Sequence, residues 1–315
     1  MRVAVLDDYQ ASAFQMADWK RVPSLKVISF TDHVHDEDEL VTRLEEFDVI
    51  MRIRERTEFP RSVLTRLPRL KLLLATGMRN ARSIDMAAAK ELGITVCGTE
   101  VHAHTTVELV WGLILSLMRR LPQEVDSLRA GGWQIGLGSG LQGKTLGIIG
   151  LGSMGIPVSR VGRAFGMKVV AWSPNLTPER TQEHQVECVS KSELFATSDV
   201  ITLHMPDTDK TNGIVGASDI GLMKPTAFFI NTSRPKLVDQ DALLNALTSR
   251  AIAGAGVDVF DVEPLPADDP YRWLPNVVAT PHIGFVTREN YRIFFEQSLE
   301  NLEAFVGGAP KRIIG

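Results

Sequence analysis

Cysteine is nearly absent: the 315 residues hold two, Cys97 and Cys188, far apart in the chain and outside any paired metal-ligand spacing. Neither a disulfide framework nor a zinc site is indicated, and the composition suits a reducing, cytoplasmic compartment. Strong charge of one sign is missing as well. A net charge of −4 gives no footprint for nucleic acid or an anionic membrane, so the expected partners are small molecules or copies of the chain itself. The most apolar stretch, residues 107–118, is interrupted by Glu108 and falls short of the ~20 residues that cross a bilayer. The opening Met1-Arg2-Val3-Ala4-Val5-Leu6-Asp7-Asp8 reaches carboxylates too early for a signal-peptide core and is read as a first strand. Internal repeats and low-complexity tracts are also lacking.

What is present is a chain of 44% hydrophobic and 23% charged residues, long enough for two cores. Short apolar runs alternate with helix-period segments, the pattern of strand–helix units around parallel sheets. A first series places strands at 3–6, 27–30, 49–53, 70–75 and 94–97, with helices at 37–46, 61–67 and 83–92. A helix from about residue 105 to 118 then serves as a linker, followed by an irregular arm rich in glycine at 131–140. A second series places strands at 145–150, 168–172, 200–204, 227–231, 253–257 and 277–280, with helices at 154–165 and 239–250. Residues 287–306 form a long amphipathic helix expected to return to the first domain. The domains are thus 1–100 plus 286–315, discontinuous, and 101–285.

Between the first strand and helix of the second series stands Gly150-Leu151-Gly152-Ser153-Met154-Gly155. Gly150 permits the tight turn, Gly152 lets backbone N–H groups approach a pyrophosphate, and Gly155 lets the helix lie close to the sheet. The glycine triplet alone is a weak signal, but its place between strand and helix makes it a dinucleotide-binding turn. One expected group is missing. Ser173, after Trp172, stands about twenty residues beyond Gly152, where an NAD site usually has a ribose-binding carboxylate. A 2′-phosphate would not be repelled there, and Ser173, Asn175 or Arg180 can hydrogen-bond it, yet no arginine directly follows Ser173. The reading therefore keeps NAD, with NADP also possible.

Three further segments each follow a strand: Asn231-Thr232-Ser233-Arg234, Asp258-Val259-Phe260-Asp261-Val262-Glu263-Pro264, and Thr280-Pro281-His282-Ile283-Gly284. Hydride transfer to a keto carbon develops negative charge on its oxygen, which a histidine can protonate, while an arginine fork suits a planar 2-keto carboxylate. A carboxylate behind the imidazole orients it and favours its charged form. Each residue alone can serve an ordinary loop contact; the combination at strand ends beside the glycine turn is what points to catalysis.

With Leu203-His204-Met205-Pro206, these segments make the chain resemble the D-isomer-specific 2-hydroxyacid dehydrogenase family, in its phosphoglycerate dehydrogenase and glyoxylate or hydroxypyruvate reductase branches. The resemblance spans essentially the whole chain and is strongest over 141–284. It implies two Rossmann-like, doubly wound parallel-sheet α/β domains with an interdomain cleft, and an Arg234, Glu263, His282 catalytic set. It also implies cofactor contacts from Gly150, Gly152, Ser153, Met154, Gly155, Trp172, Ser173, His204, Met205, Pro206, Thr232, Ser233, Asp258 and Gly284. Asp258 would hold the nicotinamide carboxamide; its simpler reading is a loop cap.

Gly77, Met78 and Arg79 match the loop that receives the substrate carboxylate, in a form less rich in glycine than is common. Arg52, Arg54 and Arg56 either line the cleft, with Arg54 at the substrate, or form a solvated charged edge. His102 and His104 lack a nearby third ligand and are not read as a metal site. A homodimer through the linker helix and the arm around Trp133 is implied. The substrate remains open among glyoxylate, hydroxypyruvate and 3-phosphoglycerate-type acids. Two alternatives are a nicotinamide-sensing, corepressor-like binding protein, which would need a peptide groove and long tails, and a formate dehydrogenase-like enzyme, whose histidine pairs with glutamine rather than with a residue such as Glu263.

Overall fold

The runs Val-Ile-Met-Arg at 49–52, apolar up to its final arginine, and Leu-Leu-Leu-Ala at 72–75 are buried along their whole length, as strands covered on both faces must be. The computed structural model describes residues 1–77 and 83–314. Contacts divide the chain into two units, Met1–His102 with Val286–Gly315, and Ala103–Phe285.

In the first unit, β1 (Arg2–Leu6), β2 (Lys26–Ser29), β3 (Val49–Arg52), β4 (Leu72–Ala75) and β5 (Thr95–Cys97) pair in parallel in the order β2-β1-β3-β4-β5. Helices α1 (Ala13–Met16), α2 (Glu37–Leu44), α3 (Arg61–Leu64) and α4 (Met86–Glu91) connect them. The start of α2 is set by Asp36, whose carboxylate accepts the N–H groups of Asp38 and Glu39, and by three acidic residues in its first turn.

The second unit begins with α5 (His104–Met118) and α6 (Leu121–Arg129). Then come β6 (Thr145–Ile149), α7 (Gly155–Ala164), β7 (Lys168–Trp172), α8 (Pro178–Gln182), β8 (Glu187–Cys188), α9 (Lys191–Thr197), β9 (Val200–Leu203), α10 (Ala217–Ile220), β10 (Phe228–Asn231), α11 (Gln240–Thr248), β11 (Gly254–Val257) and β12 (Val277–Ala279). The seven strands run parallel in the order β12-β11-β10-β9-β6-β7-β8. Because β6 lies between β9 and β7, the winding reverses there, and ligands of such sheets bind beyond the strand ends at that point. Alternate residues face two cores: Ile149 and Phe229 join one, Ile148 and Ile230 the other. The fold class is the one expected.

The last helix, α12 (Arg288–Val306), belongs to the first unit and packs against α1 and β4. Thr287 caps it, and its buried face runs through Tyr291, Phe294, Phe295, Leu299 and Leu302. Asn301 reaches the carbonyl of Gly98 at 2.8 Å, tying the helix to the segment after β5.

Besides the short α1, which the sequence reading did not place, two features differ from it. The linker is two helices, because Arg120 adopts a left-handed conformation (φ +55°) that ends α5, and Pro122 in the first turn starts α6. The two-residue β8 carries too little pattern to be seen. Among the described residues, no helix is long and apolar enough to cross a membrane.

Candidate active site

The glycine turn is shaped by contacts that exclude side chains. Gly150 has φ +96°, and a Cβ there would lie 2.5 Å from the carbonyl oxygen of His204; one on Gly155 would lie 2.2 Å from that of Gly150. Gly152 differs, since a Cβ there would meet nothing within 4 Å. The turn is closed beneath by protein and open above Gly152, at the head of α7, which is what the approach of a dinucleotide pyrophosphate requires. Thr232, at the end of β10, adds an enclosed Oγ1 without a hydrogen-bond partner among the described residues. The residues present therefore fit a dinucleotide.

Below the turn, His204 bonds through Nε2 to the Thr202 hydroxyl at 2.9 Å. The residue keeps some accessible surface, but protein surrounds its imidazole, and this desolvation pushes its pKa down to about 4. Met205 packs against a core and Pro206 is exposed; Ser153 is exposed and Met154 partly buried. The Trp172 ring lies under Lys191 Nζ, 5.3 Å from its centroid. After it, the half-buried Ser173 accepts the N–H of Leu176, and the Arg180 guanidinium bonds the Asn175 carbonyl at 3.0 Å. The arginine that is distant in sequence is thus held at the turn after β7.

The catalytic candidates follow three adjacent strands. After β12, His282 takes a left-handed conformation (φ +51°), one that histidine tolerates better than most residues. Its Nδ1 lies 2.6 Å from Oε2 of Glu263, which follows β11. The other carboxylate oxygen of Glu263 accepts the N–H of Phe260 at 2.9 Å, so the acid is held from behind. The structure brings this pair together across nineteen residues.

Asp258 supports the same loop. Its Oδ1 accepts the Thr280 hydroxyl (2.6 Å) and the N–H of Ile283 (2.8 Å), and its Oδ2 the N–H of Gly284 (2.9 Å). These bonds are those of the simpler loop-cap reading, applied to the segment that carries His282. Burial is the largest influence on this carboxyl and raises its pKa. Gly284 is gripped from its other side, its carbonyl accepting the hydroxyls of Thr105 and Thr106.

Arg234 follows β10 in an extended conformation, with Nη1 2.6 Å from the Ser233 carbonyl. Asn231 braces this loop, taking the N–H of Ser233 and donating to the carbonyl of Arg234, while the Ser233 hydroxyl bonds the carbonyl of Leu203 on β9. Sequence reading gave Asn231 no role, although an Asn two residues before Ser233 is the mark of an Asx turn.

In the first unit, Gly77 has φ +91° and donates its N–H to Thr99 Oγ1, while Met78 and Arg79 lie outside the described residues. Arg54 is left-handed (φ +58°); its N–H bonds Thr76 Oγ1, and its Nε lies 3.6 Å from Glu55. The solvated-edge reading fails for Arg52, which is fully buried and bonds the Thr57 carbonyl and the Ser83 hydroxyl, with burial pulling its pKa to about 10. Arg56 also works internally, donating to the Asp7 carbonyl and lying over the Tyr9 ring. Among the described residues, no group of three or more His, Cys, Asp or Glu is arranged to hold a metal.

A turn shaped for a dinucleotide and a His–Glu pair at the end of neighbouring strands are features that a nicotinamide-dependent oxidoreductase requires. Comparison narrows the class. The sequence model described as "D-isomer specific 2-hydroxyacid dehydrogenase, NAD binding domain" matches residues 111–284. A glyoxylate reductase of Aeropyrum pernix is 38% identical over 258 residues, 78% of this chain and 76% of that protein. A hydroxypyruvate reductase of Thermotoga maritima is 37% identical over 297 residues, 92% of this chain and 94% of that protein. The crystal structure of a phosphoglycerate oxidoreductase from Vibrio cholerae O395 matches with a TM-score of 0.93 at 37% identity, covering 98% of this chain and 100% of that one. The chain belongs to the D-isomer specific 2-hydroxyacid dehydrogenase family. It is an NAD-dependent oxidoreductase acting on 2-hydroxy acids.

Proposed function

We propose that this protein reduces a two- or three-carbon 2-keto acid, glyoxylate or hydroxypyruvate, with Arg234 binding the carboxylate and His282 delivering the proton. The observation that carries this reading is the 2.6 Å contact between His282 Nδ1 and Glu263 Oε2. It commits one imidazole nitrogen to the acid and leaves Nε2 for the substrate.

A nicotinamide, when bound, would supply the hydride for the keto carbon. His282 Nε2 hydrogen-bonds the keto oxygen and gives up its proton as charge builds there, so that a C–H and an O–H bond form while the carbonyl π bond is lost. Glu263, fixed by the Phe260 N–H, accepts from Nδ1 and so orients the ring with Nε2 towards the substrate. The Arg234 fork orients the carboxylate, and with it the face offered to the hydride. In the oxidative direction, Nε2 accepts the hydroxyl proton. NADPH is accepted beside NADH, since Ser173 repels no 2′-phosphate and Arg180 is held nearby.

The same reading makes the protein a cytoplasmic homodimer. Its partner surface is α6 with residues 130–140, where Trp133 is 74% and Leu137 97% exposed, an unusual display of large apolar side chains on one arm. Light scattering of wild type and Leu137→Asp tests it, a wild-type monomer being the contrary result.

For the catalytic reading, NADH and NADPH oxidation is measured against glyoxylate, hydroxypyruvate, pyruvate and a phosphorylated three-carbon keto acid. Turnover with one of the first two is expected. His282→Ala is expected to lower kcat on the order of 10²–10⁴-fold, with NADH affinity little changed. Tight NADH binding without turnover of any keto acid would overturn the reading.

A further inference from the structure

Two side chains that the proposed chemistry does not touch connect the loop of Arg234 to the loop of Glu263. Gln240 opens α11, and its Nε2 donates to the carbonyls of Pro235 (2.8 Å) and Val238 (3.4 Å). Pro235 directly follows Arg234. The other end of the same amide, Oε1, accepts the phenol O–H of Tyr271 at 2.8 Å. Tyr271 is buried and packs on Phe260, their ring centroids 5.7 Å apart, and it is the Phe260 N–H that holds Glu263. The amide's orientation follows from its surroundings: carbonyl oxygens face one end, so the NH₂ belongs there and the oxygen faces the phenol. Burial raises the pKa of the phenol, which keeps Tyr271 a donor.

We infer that Gln240 and Tyr271 are positioning residues for the reaction, a buried polar strut that sets Arg234 in register with the Glu263–His282 pair. The inference rests on the roles proposed above for those three residues. One end of the strut holds the carbonyl of the residue after Arg234, and the other packs on Phe260, whose N–H holds Glu263. On the Arg234 side, Asn231 and Gln240 grip successive carbonyls, those of Arg234 and Pro235. On the Glu263 side, Arg272 donates to the carbonyls of Leu265 and Pro266, so the excursion after β11 is tied to the segment that carries Tyr271. A misplacement of about 1 Å between reacting groups costs on the order of a hundredfold in rate, so a strut that fixes two loops acts on the chemistry without touching substrate.

The test uses full-length Tyr271→Phe, Gln240→Glu, Gln240→Leu and the Tyr271→Phe/Gln240→Leu pair, with kcat normalised to NADH-binding sites. Gln240→Glu keeps an acceptor for Tyr271 but offers no N–H to Pro235. It is expected to raise KM for the keto acid about 5- to 20-fold, with NADH affinity within about twofold. Tyr271→Phe, which loses only the hydroxyl, is expected to lower kcat about 3- to 10-fold. The double variant should be no worse than Gln240→Leu alone, because both substitutions break one connection. A purely structural role lowers the melting temperature and the number of active sites at unchanged KM and unchanged kcat per site, and that result overturns the inference. Arg234→Lys and His282→Ala run alongside separate the two failures. If these controls stay active, the site assignment falls; if they are impaired while the strut variants match wild type, the strut alone falls.

Discussion

Each of the two units begins its sheet with a strand that runs into a helix through a short turn, yet the two turns treat negative charge in opposite ways. After β1, the buried carboxylate of Asp8 accepts the N–H groups of Ser12 and Ala13 at 2.8 and 2.9 Å, and the hydroxyls of Ser12 and Ser29 at 2.7 Å each. The chain thereby places its own anion at the head of α1. After β6, three glycines take the corresponding stretch, and the space above Gly152 stays open at the head of α7. Parallel α/β architecture supplies the anion-seeking helix start in both units. Whether that start binds a ligand or a side chain is decided by a few residues of the turn, which is why fold alone does not locate function.

The strongest way to break the contrast is Asp8→Ala, which leaves two backbone N–H groups and two hydroxyls without their buried acceptor. Chemical denaturation should show a loss of about 3 kcal/mol, with NADH affinity unchanged; a parallel loss of NADH binding would mean that the turns are not independent. Gly152→Ala attacks the other turn. Its added methyl meets no protein atom, so stability should hold while the NADH Kd rises about 10- to 100-fold, and unchanged affinity would place the pyrophosphate elsewhere.

A smaller effect comes from His204, against whose carbonyl Gly150 is packed. Its folded pKa of about 4 lies below the ordinary 6.5, so as pH falls the unfolded chain takes up the proton first. The stabilisation is complete above 6.5 and is lost progressively towards pH 4. A shift of this size is worth at most about 3 kcal/mol, and the residue's accessible surface reduces it to about 1–2. Gln at this position should flatten that part of the urea-midpoint profile; an identical slope would assign it to other groups. Smallest of all, Ser173→Asp should move the NADH/NADPH preference about tenfold towards NADH, and an unmoved ratio would show that this side chain does not read the ribose.

Features written in local pattern were legible in the sequence. The buried quartets, the glycine turn and the three strand-end segments fixed the sheets to within a residue or two and put His282 and Glu263 where the structure joins them. What escaped depends on partners distant in the chain. Nothing near Arg52 announces that Ser83, 31 residues on, will accept from its buried guanidinium; Arg180 was already a candidate beside Ser173 and Asn175, and its bond to the Asn175 carbonyl is what the structure adds. Gln240 and Tyr271 meet across 31 residues, with no periodicity or motif around either to suggest it. The four-residue α1 was invisible for a related reason, since Asp8 and Ser12 rather than an apolar stripe define its start.

The membership of α12 in the first unit imposes an order on synthesis. While the chain emerges from the ribosome, residues 103–285 are all available before α12 exists, so the nucleotide-binding unit can mature while the earlier-made sheet still waits for the helix that packs on β4. The sheet of the first unit is therefore completed only after residues 103–285 have been made. A truncation just after residue 285 would strike that early-made sheet, remote in sequence from the break, and spare the middle of the molecule.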